Sequence, residues 1–200
     1  MTHYAELQVT TNFSFLRGAS HPPELVARAA ELGLGGIAVT DRNSLAGVVR
    51  AHAAARELKF RLVIGARLDL TDAPGVLAYP RDRAAYGRLT QLLTDGKRRA
   101  EKGACHLGFA DVVRYGDGMR IVALPPDRLD QAYAEHLAAL ARRFPDAMVA
   151  VHRLYGAEDQ RRIADIAALA KAAHLPIVAT NDVHYHVCLL YTSPSPRDYA

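Results

Sequence analysis

Short apolar segments of strand length alternate with amphipathic helical segments along nearly the whole chain. This alternation limits the possible folds more than any other feature. "AELQV" (5–9) reads as a strand, and Ser20, Pro22 and Pro23 read as cap and first turn of a helix, "ELVARAAEL", stopped by Gly33. "GIAVT" (36–40) reads as a short buried strand, followed by a helix from about Ser44 with Leu45, Val48, Val49 and His52 on one face. "RLVIGARLDL" (61–70) and "VLAY" (76–79) read as strands, the second leading into a helix that carries Tyr86, Leu89, Leu92 and Leu93. The polar, basic stretch 94–106 reads as a loop, "FADVVRY" as a short helix and "RIVALP" (120–125) as a strand. Asp127 is expected to cap a long helix through Leu129, Tyr133, Leu137 and Leu140. "AMVAVHRL" (147–154) is then strand, residues 159–174 helix, and "PIVAT" (176–180) the last strand. Repeated units of this kind predict an α/β protein with a mostly parallel sheet wrapped by helices, either a barrel or a doubly wound sheet.

At 200 residues, half of them apolar, the chain has room for one domain with a substantial core. No apolar run approaches the ~18 residues needed to cross a bilayer, and "MTHYAELQVTTNF" has neither the basic nor the apolar region of a signal peptide. With only Cys105 and Cys188, no disulfide framework is expected, which fits a cytoplasmic protein. The net charge of +4 and pI near 9.2 suit a nucleic-acid setting and equally a solvated, arginine-rich surface. The absence of GxGxxG and GxxxxGK[ST] argues against dinucleotide and P-loop nucleotide binding. After Val187 the chain becomes "CLLYTSPSPRDYA" and loses the strand–helix rhythm. A domain over 1–187 is therefore expected, with 188–200 a non-native tail resembling adapter read-through.

The chemistry is concentrated in "VATNDVHYH" (178–186), where a short apolar run opens into Asn181, Asp182, His184 and His186. Asp182 and His184, two apart on extended chain, point to the same side and could offer two ligands to one metal ion. In parallel α/β folds the site lies at the carboxyl ends of the strands. Standing there are Gln8 and Thr10, then Thr40, Asp41, Arg42 and Asn43, then Gly65 and Arg67, then His152, and finally Asn181, Asp182 and His184.

"YAELQVTTNFSFLRGAS", "AVTDRNSLAGVVRAH", "LVIGARLDL" and "LPIVATNDVHYH" together resemble the polymerase-and-histidinol-phosphatase (PHP) domain. The likeness runs in order over residues 4–187. It is closest to the PHP domain that opens the bacterial family C DNA polymerases of the error-prone, damage-tolerant branch. The resemblance implies an irregular (βα)7-type barrel, here incomplete at its C-terminal end, and a place at the N-terminus of a longer polymerase. The parent would be a DNA-directed DNA polymerase, a nucleotidyltransferase of replication and translesion repair synthesis, whose Mg²⁺ ions belong to a palm outside this chain. Its expected partners are the remainder of the polymerase, DNA and damage-response accessory proteins, with no membrane.

Active PHP domains hold a metal cluster through His, Asp and Glu side chains and hydrolyse phosphoesters. Carried onto this sequence, the opening His-x-His falls on Gln8 and Thr10, and the next ligand position on Arg17. The Asp-His of the second strand falls on Asp41 and Arg42, and the glutamate of the third on Arg67. Only the closing Asp-x-His persists, as Asp182 and His184. Hydrolytic sites use about three or more protein ligands. Two like unit charges ~4 Å apart repel by about 4 kcal/mol at an effective dielectric of ~20, so Arg42 and Arg67 would oppose a divalent ion. The expectation is a metal-free, vestigial pocket with no catalytic residue and no cofactor in this chain, with Arg42 or Arg67 paired to Asp41 or Asp182. One alternative is a metal-dependent phosphoesterase or 3′–5′ exonuclease drawing on Asp182, His184, His152 and His186. Another is a docking module for damage-response partners that uses Arg98 and Arg99.

Arg81, Arg83, Arg88, Lys97, Arg98, Arg99 and Lys102 gather with few acids in the segment 81–102. Arg88, Lys97, Arg98, Arg99 and Lys102 are candidate DNA or interdomain contacts, set against an ordinary solvated helix and loop. Tyr4, Phe13 and Phe15 are expected in the core rather than as base-stacking groups. Cys105 has no histidine at a motif spacing, so no nucleophilic role is assigned to it.

Overall fold

The computed structural model describes residues 4–153, 155–188 and 190. Its elements in chain order are β1 (Ala5–Val9), α1 (Pro22–Glu31), β2 (Gly36–Val39), α2 (Val48–Glu57), β3 (Leu62–Ile64), β4 (Ala66–Leu68) and β5 (Val76–Pro80). There follow α3 (Arg83–Arg98), α4 (Phe109–Tyr115), β6 (Met119–Ala123), α5 (Gln131–Arg143), β7 (Met148–Val151), α6 (Asp159–Ala172) and β8 (Ile177–Ala179). β1, β2 and β3 form a parallel sheet, and a second sheet runs β4-β5-β6-β7-β8. The pairs β4/β5 and β5/β6 are antiparallel, while β6/β7 and β7/β8 are parallel. Mostly parallel is thus correct, with an antiparallel interruption where a short β4–β5 connection replaces a helical crossover.

β3 and β4 are one stretch of chain broken only by Gly65, and this stretch belongs to both sheets. Gly65 N donates to Val39 O at 3.0 Å, Arg67 N donates to Asp41 O at 3.1 Å, and Arg42 bridges Arg67. On the opposite side, Val183 makes a parallel bridge to Val9. Counting β3 and β4 as one stave, the chain forms a seven-stave α/β barrel whose β8–β1 seam is a single bridge rather than a full strand pairing. That thin seam is the incompleteness expected at the C-terminal end.

The period-2 alternation of the strands sorts their side chains into two environments. Ala38, Leu77, Tyr79, Val122, Leu124 and Ala150, with Leu7, Val63, Met148 and Val178, form a cluster without any helical residue, which is the barrel interior. The opposite faces pack outward: Val9, Ile37 and Val39 against Leu25, Val26, Ala29, Ala51 and Ala55 of α1 and α2. Ala78, Ile121, Ala123 and Val149 pack against Leu89, Leu92, Leu137, Leu140 and Ile166 of α3, α5 and α6. A register shift between Glu6 and Val9 breaks the alternation in β1, so Leu7 reaches the interior while Val9 still faces the helices.

Several local expectations are corrected. The first helix begins after His21, not Ser20, whose hydroxyl goes to His186 instead; His21 N donates to Glu24 Oε2 at 2.7 Å. Gly33, at φ 67°, ends that helix in the left-handed region, as its position predicts. α2 starts at Val48, beyond Leu45, and buries Val48, Ala51 and Ala55, leaving Val49 77% exposed. The stretch 94–106 is not all loop: α3 continues through Arg98, because Leu92, Leu93 and Gly96 carry its buried face onward. Asp130, not Asp127, caps α5, accepting from Tyr133 N at 3.1 Å, so Leu129 precedes the helix. Tyr4, Phe13 and Phe15 are not core residues; Phe15 is 85% exposed, Phe13 lies under the Arg50 guanidinium, and Tyr4 is exposed while its hydroxyl donates to Glu6. The tail reading for 188–200 lies outside the described residues apart from Cys188 and Leu190. Among the described residues, no helix is long and apolar enough to cross a membrane.

A Cβ at Gly65 would meet Tyr79 Cδ1 at 2.6 Å and Ala78 O at 3.1 Å, and the Tyr79 ring is fixed by its hydroxyl donating to Leu7 O across the barrel. Gly65→Ala is expected to destabilise by ~1–3 kcal/mol. Gly87 stands within α3 with nothing within 4 Å of a built Cβ, so Gly87→Ala should stabilise by ~0.4–1 kcal/mol. Thermal melts of the two variants, read as opposite shifts in Tm, check the assignment of Gly65 as the shared corner of the sheets.

Candidate functional site

The chain leaves β8 at the carboxyl end of the barrel and is sewn onto β1 by residues at four of the expected positions. Thr10 N donates to Val183 O at 2.8 Å and Val183 N donates to Gln8 O at 2.9 Å. The Gln8 side-chain amide spans the seam: its Nε2 donates to Asp182 Oδ1 at 2.7 Å, and its Oε1 accepts from Thr180 Oγ1 at 3.0 Å. His184 Nε2 stands 3.3 Å from the same Asp182 oxygen. Asp182 holds φ 48°, a left-handed conformation that a short carboxylate side chain tolerates and that turns it back toward Gln8. Burial by itself would raise the Asp182 carboxyl. The hydrogen bond and charge of His184, the charge of Arg67 and the Gln8 amide outweigh it and hold the group below the usual carboxylate value.

The second half of the site is built around Asp41, which is fully buried. Its Oδ1 accepts from Thr11 N at 2.9 Å and from Ser14 Oγ at 2.7 Å, and Thr11 Oγ1 donates to Oδ2 at 2.9 Å. Gly47 is required beside it, since a Cβ there would stand 2.6 Å from Asp41 Oδ2. Asp41 therefore works as the hub that folds the segment after β1 onto the end of β2. Neither Arg42 nor Arg67 pairs with Asp41 or Asp182, contrary to expectation. Both are bound by Asp69: Arg42 Nε is in an ion pair with Asp69 Oδ2, and Arg67 Nε donates to Asp69 Oδ1 at 2.9 Å. Asp69 N in turn donates to Asn43 Oδ1 at 3.0 Å. Arg67 remains close enough to Asp182 for its charge to favour the carboxylate.

Other expected residues lie elsewhere. Arg17 is exposed on the turn after β1, with no ion pair among the described residues. His186 packs against the start of α1, its Nδ1 2.8 Å from Ser20 Oγ, so it faces away from Asp182. His152 Nδ1 is buried without a hydrogen-bond partner among the described residues. Among those residues no group of three or more His, Cys, Asp or Glu side chains is arranged to hold a metal ion. Of the basic candidates, Arg88 donates to Asp117 O at 2.8 Å and Arg99 to Asp111 Oδ2 at 2.8 Å, so both are engaged within the fold. Arg98 is exposed. Lys97 and Lys102 line a cleft of about 900 Å³ together with Phe13, Phe15, Arg42 and Asp69. Burial raises the Cys105 thiol, consistent with an unreactive side chain.

Sequence reasoning missed Glu6, which is 3% exposed yet charged in type. Its Oε1 accepts from Gln8 N at 2.9 Å and Asn181 N at 3.2 Å, and its Oε2 from the Tyr4 hydroxyl at 2.7 Å. In "AELQV" a glutamate between apolar residues reads as the solvent face, and the β1 register shift is invisible in the sequence. Asp69 carried a usable signal, because it stands two residues from Arg67 on extended chain.

The family model for the PHP domain matches residues 6–189. The chain belongs to the PHP domain family. This PHP domain is 51% identical over 185 residues to the error-prone DNA polymerase of Caulobacter vibrioides, covering 92% of this chain and 17% of that protein. Identity and coverage are the same for error-prone DNA polymerase 1 of Agrobacterium fabrum. The chain thus spans about a sixth of the length of these curated relatives. Among solved structures, an amidohydrolase from Chromobacterium violaceum superposes with a TM-score of 0.70 at 16% identity, over 90% of this chain and 87% of that one, which establishes a shared fold.

The depressed Asp182 carboxyl gives a pH signature. Its folded-state value lies below the unfolded value of ~3.9, so the stability it adds is present above that pH and lost as pH falls through the folded value. Asp182→Asn should melt below the parent at pH 7, and the gap should close as pH is lowered below ~4. A gap constant across this range would show that the seam does not depend on an ionised Asp182. Asp41→Ala strands three donors in a buried site, and ~3 kcal/mol or more of lost stability is expected in urea melts.

Proposed function

We propose that this chain is the N-terminal PHP domain of an error-prone, family C DNA-directed DNA polymerase, and that the domain itself is structural rather than hydrolytic. The polymerase assignment is supported by 51% identity over 92% of the chain to error-prone DNA polymerases. The structural role is carried by one observation: the Gln8 side chain holds the Asp182 carboxylate oxygen at 2.7 Å and ties it to Thr180.

The residues present fit a divalent ion poorly. The positions that would complete a ligand set are an amide, a hydroxyl and three guanidinium groups, at Gln8, Thr10, Arg17, Arg42 and Arg67. Arg42 and Arg67 put guanidinium groups where ligands would stand, both held on Asp69, so they repel an ion placed there instead of binding it. Asp182 and His184 are two ligands where hydrolysis uses about three or more. The domain by itself therefore carries out no metal-dependent hydrolysis. Nucleotide addition, with Mg²⁺, is the work of a palm elsewhere in the parent. The domain supplies a rigid body that packs against that remainder, in the cytoplasm, with Arg98, Lys97 and Lys102 free to meet DNA, the polymerase body or an accessory protein.

The test is metal content and hydrolysis. Purified chain should carry no stoichiometric Mn, Zn or Fe by plasma mass spectrometry, and should leave p-nitrophenyl phosphoesters and single-stranded DNA intact with any of these ions. Stoichiometric metal, with hydrolysis lost in Asp182→Ala, would replace this reading with a phosphoesterase or 3′–5′ exonuclease. The polymerase half is tested independently by a long sequencing read across codon 187 of the source DNA. An open frame continuing into a palm with spaced acidic residues is expected, and a stop at codon 200 would remove the assignment.

A further inference from the structure

A cavity of about 570 Å³ lies where the start of α5 meets Asp72–Pro74, Pro126 and Phe109 of α4. It shares no lining residue with the Gln8–Asp182 seam or the Asp41 hub. Tyr133 and His136, one turn apart on α5, belong to its wall and are 1% and 9% exposed. The Tyr133 hydroxyl and His136 Nε2 are buried and have no hydrogen-bond partner among the described residues. Buried polar atoms in folded proteins nearly always have partners. Both atoms lie beneath the cavity wall, so a molecule in the cavity completes their bonding only where the Tyr133 and His136 side chains turn toward it. The acids at the same cavity are already engaged: Asp72 Oδ1 accepts from Phe109 N at 2.8 Å, and Asp130 Oδ1 accepts from Tyr133 N at 3.1 Å.

The wall also specifies what kind of molecule fits. Phe109 meets the His136 ring edge-on at 5.0 Å, and the Tyr133 ring stacks on His136 at 6.5 Å, so aromatic surface dominates one side. Pro74 and Pro126 add apolar surface. Burial holds the His136 imidazole below its ordinary value, with Asp72 opposing only in part, so the ring is neutral at pH 7 and offers one donor and one acceptor nitrogen. Burial likewise keeps the Tyr133 hydroxyl protonated. Asp72, Asp130 and Glu135 outnumber Arg128 and Arg162, whose guanidinium is held by the Pro126 and Asp127 carbonyls, which disfavours an anion. The volume falls within the ~300–1,000 Å³ of small-molecule sites.

We propose that this cavity binds a neutral, planar heteroaromatic ring carrying both a hydrogen-bond donor and an acceptor, of the nucleobase or nucleoside kind, with Tyr133 and His136 as its polar anchors. The inference is independent of the polymerase reading. It is tested by titrating adenosine, uridine and AMP into ¹⁵N-labelled protein and following amide shifts along α5. Saturable shifts centred on 132–139 are expected with a nucleoside, and AMP should bind more weakly than adenosine because the rim repels phosphate. Tyr133→Phe should weaken binding about tenfold while leaving Tm unchanged or raised, since the hydroxyl removed has no partner in the fold. Ala139→Trp keeps both anchors, projects a bulky ring into the cavity and should block binding, so it decides the matter if Tyr133→Phe folds poorly. No saturable shift with either nucleoside, binding indifferent to both variants, or AMP binding more tightly than adenosine would each overturn the proposal.

Discussion

The barrel depends on a pair of backbone hydrogen bonds at Val183. From β1 through β3 and from β4 to β8 the strands are joined by pairings of two or more registered residues, and β3 runs into β4 along the chain. By contrast, among the described residues β8 reaches β1 through the backbone bonds Thr10 N to Val183 O and Val183 N to Gln8 O. Such a seam is weak by itself, because a single bridge fixes little of the chain's conformational freedom. Side chains reinforce it on both flanks. Glu6 collects the Gln8 and Asn181 amides on one side, Gln8 links Asp182 to Thr180 in the middle, and Ser20 accepts from His186 N on the other. Closure is therefore a polar construction laid over an apolar barrel.

That arrangement explains why some of the protein was legible in the sequence and some was not. Element type followed from periodicity, and the strands whose inner and outer faces are both covered, such as "GIAV" and "VLAY", stood out as short apolar runs. The outer helices were legible through Leu89, Leu92, Leu137 and Leu140, since three- and four-residue spacing is a local property. Cap positions were harder. Asp127 and Asp130 are equally good capping residues by composition, and only the packing of Tyr133 against α4 and the sheet selects Asp130. The extension of α3 into a basic stretch was hidden because Gly96 and Lys97 read as breaker and loop. In the fold Gly96 sits against Leu107, where a larger residue has no space.

In the site, identity was legible but partnership was not. The positions Gln8, Asp41, Asp182 and His184 were found because strand ends collect polar residues, and the structure brings Gln8, Asp182 and His184 into one network. Which carboxylate takes which arginine depends on side-chain reach across the β3–β4 corner, and no spacing rule predicts that Arg42 and Arg67 share Asp69. Glu6 is the clearest miss. Its burial requires a register shift in β1 and three donors from separate segments, none of which has a local signature.

Under the proposed function, a buried polar network of this kind accounts for the persistence of the acids. The Asp41 carboxylate satisfies donors that would otherwise be stranded, so replacing Asp41 alone leaves Thr11 N and the Thr11 and Ser14 hydroxyl protons without an acceptor. The same holds for Asp182, which would leave the Gln8 amide unmatched inside the seam. Arg17 is exposed and Arg42 half-exposed, and a substitution at either position carries no such penalty. Under the proposed function, the acids persist because the fold has become their ligand, with amide, hydroxyl and imidazole groups supplying the contacts that an ion would otherwise make.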